Sequence, residues 1–476
     1  MSAGILGYLA LALCAGGAVG ALAADAFGAP RAARWIAMGG AFGAAVAAAA
    51  IPLTQEGTAS AYIGSGGVAA IVFALAGLVI AASGSEGAAS GRTAALVALM
   101  AAATAVIAGT RDVVVLFVAV ETSAIAAYAL TASSGDRRSE EAAMKYFVQG
   151  AVATGAFVLA LSVLVGLYGG HTRYDQVASA IAVGGGAAPL AMVLLIAVFA
   201  FKLAAWPFHA WAPDVYETAP VPAAAFMAGA PKAAAVVAAT VLIKQSAFEG
   251  MASDARWPLA LLAIFSIVYG NLAALKQASY RRMLGYSGIA LAGYLFVGLA
   301  PTDHASAFSV ALMGATYAIA ATGAFIAADG VRAARPAWDG SVAGLAGLGR
   351  ERPWLGAAMA ACMLSLTGIP LTAGFWGKLY VFWDAVDHGF AWLAVLGVIG
   401  SVVSFGYYGA VVRSLFVDEV RGAGSDAGEM PGTGTARGET PVRPLVVTLV
   451  CAGLVVLVGV WPLAGRLYAL GAFLGR

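Results

Sequence analysis

Five ionisable side chains stand in stretches otherwise too apolar to tolerate them: Glu121 in VVVLFVAVETSAIAAYAL, Lys202 and His209 in AVFAFKLAAWPFHAWAPDVYETAP, Lys232 in APVPAAAFMAGAPKAAAVVAATVLI, and Lys378 in SLTGIPLTAGFWGKLYVFW. A carboxylate, an imidazole and three amines of this kind share one chemistry, which is to take up and give back a proton. Burial and a nearby opposite charge pull a lysine's proton affinity in opposite directions, by as much as about 3–5 units in extreme cases. An acid that moves relative to an amine therefore switches the amine between holding and releasing its proton. Lys232 has no polar neighbour within a helical turn and sits near the centre of its run. Lys244 lies near a helix end and can extend its amine to the surface.

The elements that hold these residues are helices in lipid. Hydrophobic residues make up 62% of the chain and charged residues only 11%, against roughly 25% charged in soluble domains. Apolar runs recur from one end to the other, and about 20 apolar residues suffice to cross a ~30 Å hydrocarbon core. The fold class is therefore an all-α polytopic membrane protein. About fourteen transmembrane helices are expected, near 3–24, 34–53, 61–82, 93–110, 113–131, 145–168, 187–206, 220–244, 257–275, 282–300, 305–328, 354–383, 391–413 and 444–469. The N-terminal run lacks the basic start of a signal peptide and is longer than its usual apolar core, so it is taken as the first span. The polar stretch RGAGSDAGEMPGTGTARGETPVR is a linker.

In lipid an ion is costly, roughly 2.5–3.5 kcal/mol at the centre of a helix, so such residues face a bundle interior and serve ion pathways. The alternative is a charge paired only for packing. Lys202 and Lys378 share a further feature: each stands beside helix breakers, Pro207 and Pro213 for the first, Gly368, Pro370 and Gly374 for the second. Broken helices in corresponding places of two halves point to an inverted-repeat transporter. The division that follows is residues 1–90 for helices 1–3, 91–245 for a first five-helix repeat (helices 4–8, helix 7 broken), 256–415 for a second inverted repeat (helices 9–13, helix 12 broken), and 416–476 for a loop and helix 14. The run from Pro353 to Trp383 would measure roughly 45 Å as one helix, so an unwound segment is expected at Thr367 to Thr372.

Arginines sort by side. Arg137, Arg138, Arg281, Arg282, Arg332 and Arg335 fall in loops of one parity, while Arg111, Arg173, Arg256, Arg466 and Arg476 fall on the other. The rich side is cytoplasmic, which puts both termini outside. The net charge of +2 argues against nucleic acid as a partner, and Cys14, Cys362 and Cys451 are too scattered for a metal site or cluster. Asp112, Asp214 and Glu217 read as capping or interfacial residues, Asp384 and Asp387 as the start of an external loop, and Trp206, Phe208, Trp211, Trp376, Tyr380 and Trp383 as packing or interfacial anchors.

The stretches EEAAMKYFVQGAVATGAF (140–157), FKLAAWPFHAWAPDVYETAPVPAAAFMAGAPK (201–232), RRMLGYSGIALAGY (281–294) and LSLTGIPLTAGFWGKLYVF (364–382) resemble the antiporter-like subunit N of respiratory complex I, the proton-translocating NADH:quinone oxidoreductase. The resemblance covers nearly the whole chain from about residue 90. It implies a bacterial inner-membrane subunit, part of a translocase, that moves protons with Glu121 and Lys202 as an ion pair, Lys232 as connecting lysine and Lys378 as terminal lysine. It further implies that the chain binds no cofactor itself, that NADH, FMN, iron–sulfur clusters and quinone belong to partner subunits, and that sister antiporter-like and small membrane subunits surround it. His209 is a weaker relay candidate. Relatives often carry a histidine where this chain has Leu291, so water or Tyr286 and Tyr294 would fill the gap. A subunit of a multisubunit Mrp-type cation/proton antiporter, or a non-transporting membrane scaffold, are the alternatives.

Overall fold

The computed structural model describes residues 3–49, 59–82, 88–166, 169–177, 187–245, 252–301, 306–418 and 442–460. In hydrocarbon no water satisfies a backbone amide, so an apolar run closes its own hydrogen bonds as a helix. The helices used below are α1 (Ala3–Ala26), α2 (Pro30–Ala49), α3 (Ala59–Ala82), α4 (Ala88–Gly109), α5 (Val113–Ala132), α6 (Arg137–Gly166), α7 (Ala188–Leu203), α8 (Trp211–Thr218), α9 (Val221–Gln245) and α10 (Ala252–Leu275). They continue with α11 (Tyr280–Leu299), α12 (Ser306–Ala334), α13 (Pro353–Thr367), α14 (Ala373–Asp387), α15 (Ala391–Phe416) and α16 (Val442–Val460). Among the described residues, 11 helices are long and apolar enough to cross a membrane unaided, and shorter apolar helices lie at Val68–Ala82, Ala188–Leu203 and Pro353–Thr367. Together they account for the expected spans. The linker segment 419–441 and the side chain of Lys244 lie outside the described residues.

Starts and stops follow local chemistry. The carboxylate of Asp112 caps α5 by accepting from the amides of Val114 (2.9 Å) and Val115 (3.0 Å), as the sequence suggests for an acid ahead of an apolar run. The two long spans break where expected. α7 ends as Ala204 turns left-handed (φ 59°), ahead of Pro207, and α13 ends at Gly368 (φ 89°), followed by Pro370 and Leu371 (φ 75°). Left-handed backbone at a residue with a side chain costs of order 1–3 kcal/mol and persists only where the surroundings enforce it. Two such residues, one at each break, mark the breaks as built features.

Packing sorts the helices into a centre and a rim. The apolar window of α9 is 100% buried and those of α11 and α12 are 89% buried, against 28% for α6 and 33% for α15. A helix buried all round is a core helix. Small residues let the centre close up: a Cβ on Gly229 of α9 would stand 2.8 Å from the Ala318 Cα of α12, the close backbone approach that lipid-embedded helices use in place of a hydrophobic driving force. Lys232 is therefore carried by the most protected of the described spanning helices.

Candidate proton relay

Lys202, Lys232 and Lys378 are 6%, 1% and 9% exposed, and each amine is fastened to a neutral oxygen. Lys232 Nζ donates to the carbonyl of Gly288 on α11 at 2.7 Å and lies 5.8 Å from the Tyr216 ring centre. A Cβ on Gly288 would stand 2.9 Å from that amine, so the glycine is what lets the lysine reach the backbone. Lys378 Nζ donates to Thr367 O at 2.7 Å, with the Tyr294 ring 4.9 Å away. Lys202 Nζ donates to Ser123 Oγ of α5 at 3.2 Å.

Each break has a lysine beside it, held differently. Lys202 belongs to the last turn of α7, and its amine reaches across to Ser123 of α5. Lys378, which follows its break, folds back so that its amine meets the last carbonyl of α13, the C-terminal end of a half-helix, where a free carbonyl and the helix dipole favour a cation.

Glu121 departs from the expected ion pair. It is half-buried and accepts from Thr154 Oγ1 of α6 at 2.8 Å, while Lys202 bonds Ser123. Among the described residues no ion pair of 4.0 Å or less joins Glu121 to Lys202. The reason is helical geometry: positions two apart do not share a face, so the serine points to α7 while the acid turns to α6. Ser123 and Thr154 are hydroxyls that the sequence reading missed.

His209 lies in the first break, 9% exposed, its ring 4.4 Å from that of Tyr269. Its Nδ1 and the Trp211 Nε1 have no hydrogen-bond partner among the described residues. Trp211 stacks on Tyr146 at 4.0 Å and meets Tyr216 edge-on at 5.7 Å, which closes the space between Lys202 and Lys232 with aromatic rings. Toward the expected cytoplasmic end, Asp214 bonds Arg282 (2.6 Å) and Lys145 (2.9 Å), and Glu217 bonds Arg282 (2.9 Å). These half-exposed pairs are worth little singly but tie α8 to both α6 and α11.

A buried cavity lies beside Lys378, with about 20 Å³ open to the centre of a water molecule, space for roughly one or two waters. Most of its lining residues carry a hydroxyl: Ser287, Tyr294, Thr316, Tyr317, Ser365, Ser404, Tyr407 and Tyr408. Tyr317 also approaches Gly288, its hydroxyl 3.3 Å from where a Cβ would stand. Tyr317 thus stands between the cavity at Lys378 and the acceptor of Lys232. Leu291 lines it as well. Of the two tyrosines expected near that position, Tyr294 lines the cavity, whereas Tyr286 turns away to Tyr269 (6.2 Å) and the Arg282 guanidinium (5.9 Å). A second, apolar groove of about 410 Å³ reaches Lys378 from the lateral surface between α14 and α15.

Other expectations meet mixed outcomes. Asp384 does not begin a loop: it lies within α14 and is 1% exposed, because the helix continues past Trp383. Cys14, Cys362 and Cys451 are buried and free. Trp376 anchors α14 by donating to Gly459 O of α16 at 2.8 Å.

The profile described as NADH:quinone oxidoreductase/Mrp antiporter, TM, matches residues 110–404. NAD(P)H-quinone oxidoreductase subunit 2 of Gloeobacter violaceus is 39% identical over 334 residues, 69% of this chain and 64% of the relative. NADH-quinone oxidoreductase subunit N of Trichlorobacter lovleyi is 39% identical over 315 residues, 65% of this chain and 64% of the relative. The match with both curated relatives thus spans somewhat under two thirds of their length. A chain of respiratory complex I from Thermus thermophilus superposes with a TM-score of 0.77 at 28% identity, covering 97% of this chain and 98% of that one. A chain of the Mrp complex from a Dietzia species has a TM-score of 0.78 at 19% identity, covering 98% and 97%. The second likeness is one of fold alone.

Proposed function

We propose, since this chain belongs to the NADH:quinone oxidoreductase/Mrp antiporter transmembrane family, that it is a membrane subunit of a complex I-type enzyme and carries protons across the bilayer through Glu121, Lys202, Lys232 and Lys378. Electrons from NADH or another donor pass to quinone in partner subunits, which hold the FMN and iron–sulfur clusters. The relay belongs to two inverted five-helix repeats, 91–245 and 256–415, with the arginine-rich loops on the cytoplasmic side and both termini outside.

The observation that carries this reading is the set of acceptors. Three amines are buried in the membrane domain on Gly288 O, Thr367 O and Ser123 Oγ, none of them a carboxylate. A lysine kept for packing would be locked in an ion pair, which a buried charge needs to offset its desolvation. An amine on a neutral oxygen can lose its proton without breaking a charge pair, and the released oxygen returns to its helix. The cavity beside Lys378, which Tyr317 joins to the surroundings of Gly288, then supplies part of the path between Lys232 and Lys378. Glu121, bonded to Thr154 and one residue removed from Ser123, acts as the movable negative charge that sets the proton affinity of Lys202.

Identity favours complex I over an Mrp-type antiporter, since the curated relatives at 39% are quinone oxidoreductase subunits and the Mrp chain stands at 19%. The test is Glu121→Gln in the assembled complex, which keeps size and removes only charge. Proton uptake in vesicles should fall while native gels show intact assembly. Unchanged uptake at normal assembly would refute the role of the acid.

A further inference from the structure

Beyond Lys378 the four-residue relay names no group between the cavity and the outer surface, yet the structure holds a buried carboxylate there. Asp384 lies on α14 six positions after Lys378, about 9 Å further along the helix axis, and is 1% exposed. Ser309 of α12 donates its hydroxyl to Asp384 Oδ2. One turn later the helix ends at Asp387 and His388, which stand exposed and half-buried. A carboxylate inside a membrane domain is costly and marks a functional position by default.

The cavity and the carboxylate face one another along α12. Ser309, Met313 and Thr316 are spaced i, i+4, i+7 and so share one face of that helix. Thr316 and Met313 line the cavity, and Ser309 holds Asp384. On α14 the residue opposite is Gly377, where a Cβ would stand 2.9 Å from both Met313 Cα and Thr316 Oγ1. Gly377 and Asp384 are seven positions apart and turn the same face toward α12. One layer separates cavity from acid, formed by Met313 and by Val381, which packs with Val310 about the position of Gly298. Both named blockers are 3% exposed or less, so the layer is shut in this state, and the unbranched methionine is the side chain in it that can rearrange.

We propose that Asp384 is the outlet of the relay: it receives the proton that Lys378 releases, through water admitted past Met313, and passes it to the outer aqueous phase. The transfer is balanced. The Lys378 ammonium loses a proton to become a neutral amine, the Asp384 carboxylate gains it to become a carboxylic acid, and the acid then yields it to water outside. The proposal rests on the relay and the sidedness given under Proposed function, and it adds a carrier to them.

The experiment compares Asp384→Asn and Asp384→Glu, with Lys378→Ala alongside, in the assembled complex reconstituted in vesicles. Asparagine keeps the shape and the acceptor for Ser309 but cannot carry a proton, whereas glutamate carries one on a longer arm. A carrier predicts that the Asn variant pumps about tenfold less or worse, the scale of a lost acid–base group, that the Glu variant pumps substantially faster than the Asn variant, and that formate added outside partly restores the Asn variant. A purely structural hydrogen bond predicts the reverse order, Asn near wild type and Glu impaired, with no rescue, and that result overturns the outlet. If the Asn variant does not assemble, the Glu variant decides, since an assembled Glu complex that fails to pump overturns the outlet equally. Lys378→Ala separates the two layers of inference. Normal pumping by that variant refutes the relay itself, whereas its failure beside a normal Asn variant refutes only Asp384.

Discussion

Replacing Lys232 by methionine separates charge from volume at the centre of the molecule. The amine makes one charge-assisted hydrogen bond, 2.7 Å to Gly288 O, of a class worth about 1.5–3 kcal/mol. Against it stands the desolvation of an ion that is 1% exposed, several kcal/mol in a protein interior. Buried ion pairs replaced whole by apolar side chains of similar volume leave proteins unchanged or about 1–4 kcal/mol more stable, and Lys232, bonded to a neutral carbonyl, leaves no counter-charge stranded. Lys232→Met should therefore assemble as well as the wild type and melt at the same or a higher temperature. Lys232→Ala, which adds a void to the loss of charge, should cost roughly 2–5 kcal/mol, as other large-to-small changes in cores do. Proton uptake coupled to quinone reduction should drop by about tenfold or more in both, since each lacks the carrier. Native gels, thermal unfolding of the purified complex and uptake in vesicles make the three readings. Methionine vesicles that pump at the wild-type rate, or that lose pumping only in proportion to lost assembly, would refute the assignment of Lys232.

Gly288→Ala tests the acceptor rather than the amine. The new methyl would stand 2.9 Å from Lys232 Nζ, the far end of a flexible side chain, so the complex should assemble and pump several-fold more slowly; full activity would mean that the Gly288 carbonyl is not where the amine must sit. Lys378→Ala should slow or uncouple pumping without abolishing quinone reduction, measured as both rates on one vesicle preparation, and unaltered coupling would remove Lys378 from the path.

Much of the site was legible because lipid makes polarity conspicuous. An amine in APKAAAVVAAT is costly in hydrocarbon and therefore stands out, and Pro370 flanked by Gly368 and Gly374 in a run too long for the bilayer located the break to within a residue. What escaped were partners that leave no side-chain signature. The acceptors of Lys232 and Lys378 are the backbone carbonyls of Gly288 and Thr367, and only the folded chain brings positions 56 and 11 residues apart together. Tyr317, Tyr407 and Tyr408 sit in apolar helices, where a tyrosine reads as packing until its hydroxyl is seen to line a cavity. The expected pairing of Glu121 with Lys202 failed on a finer point. Sequence proximity put acid and serine two positions apart on α5, and the helix turned the serine, not the acid, to the lysine. Asp384 was misjudged because an acid directly after Trp383 at the close of an apolar run reads as a helix end, whereas α14 runs on to Asp387.

The measurement that bears most directly on the central claim is the number of protons taken up per quinone reduced, in vesicles whose complex carries Glu121→Gln, Lys202→Met, Lys232→Met and Lys378→Met together. An assembled complex of this kind should turn over with fewer protons moved per quinone than the wild type, or should stall. An unchanged ratio at an unchanged rate would contradict proton carriage through this chain.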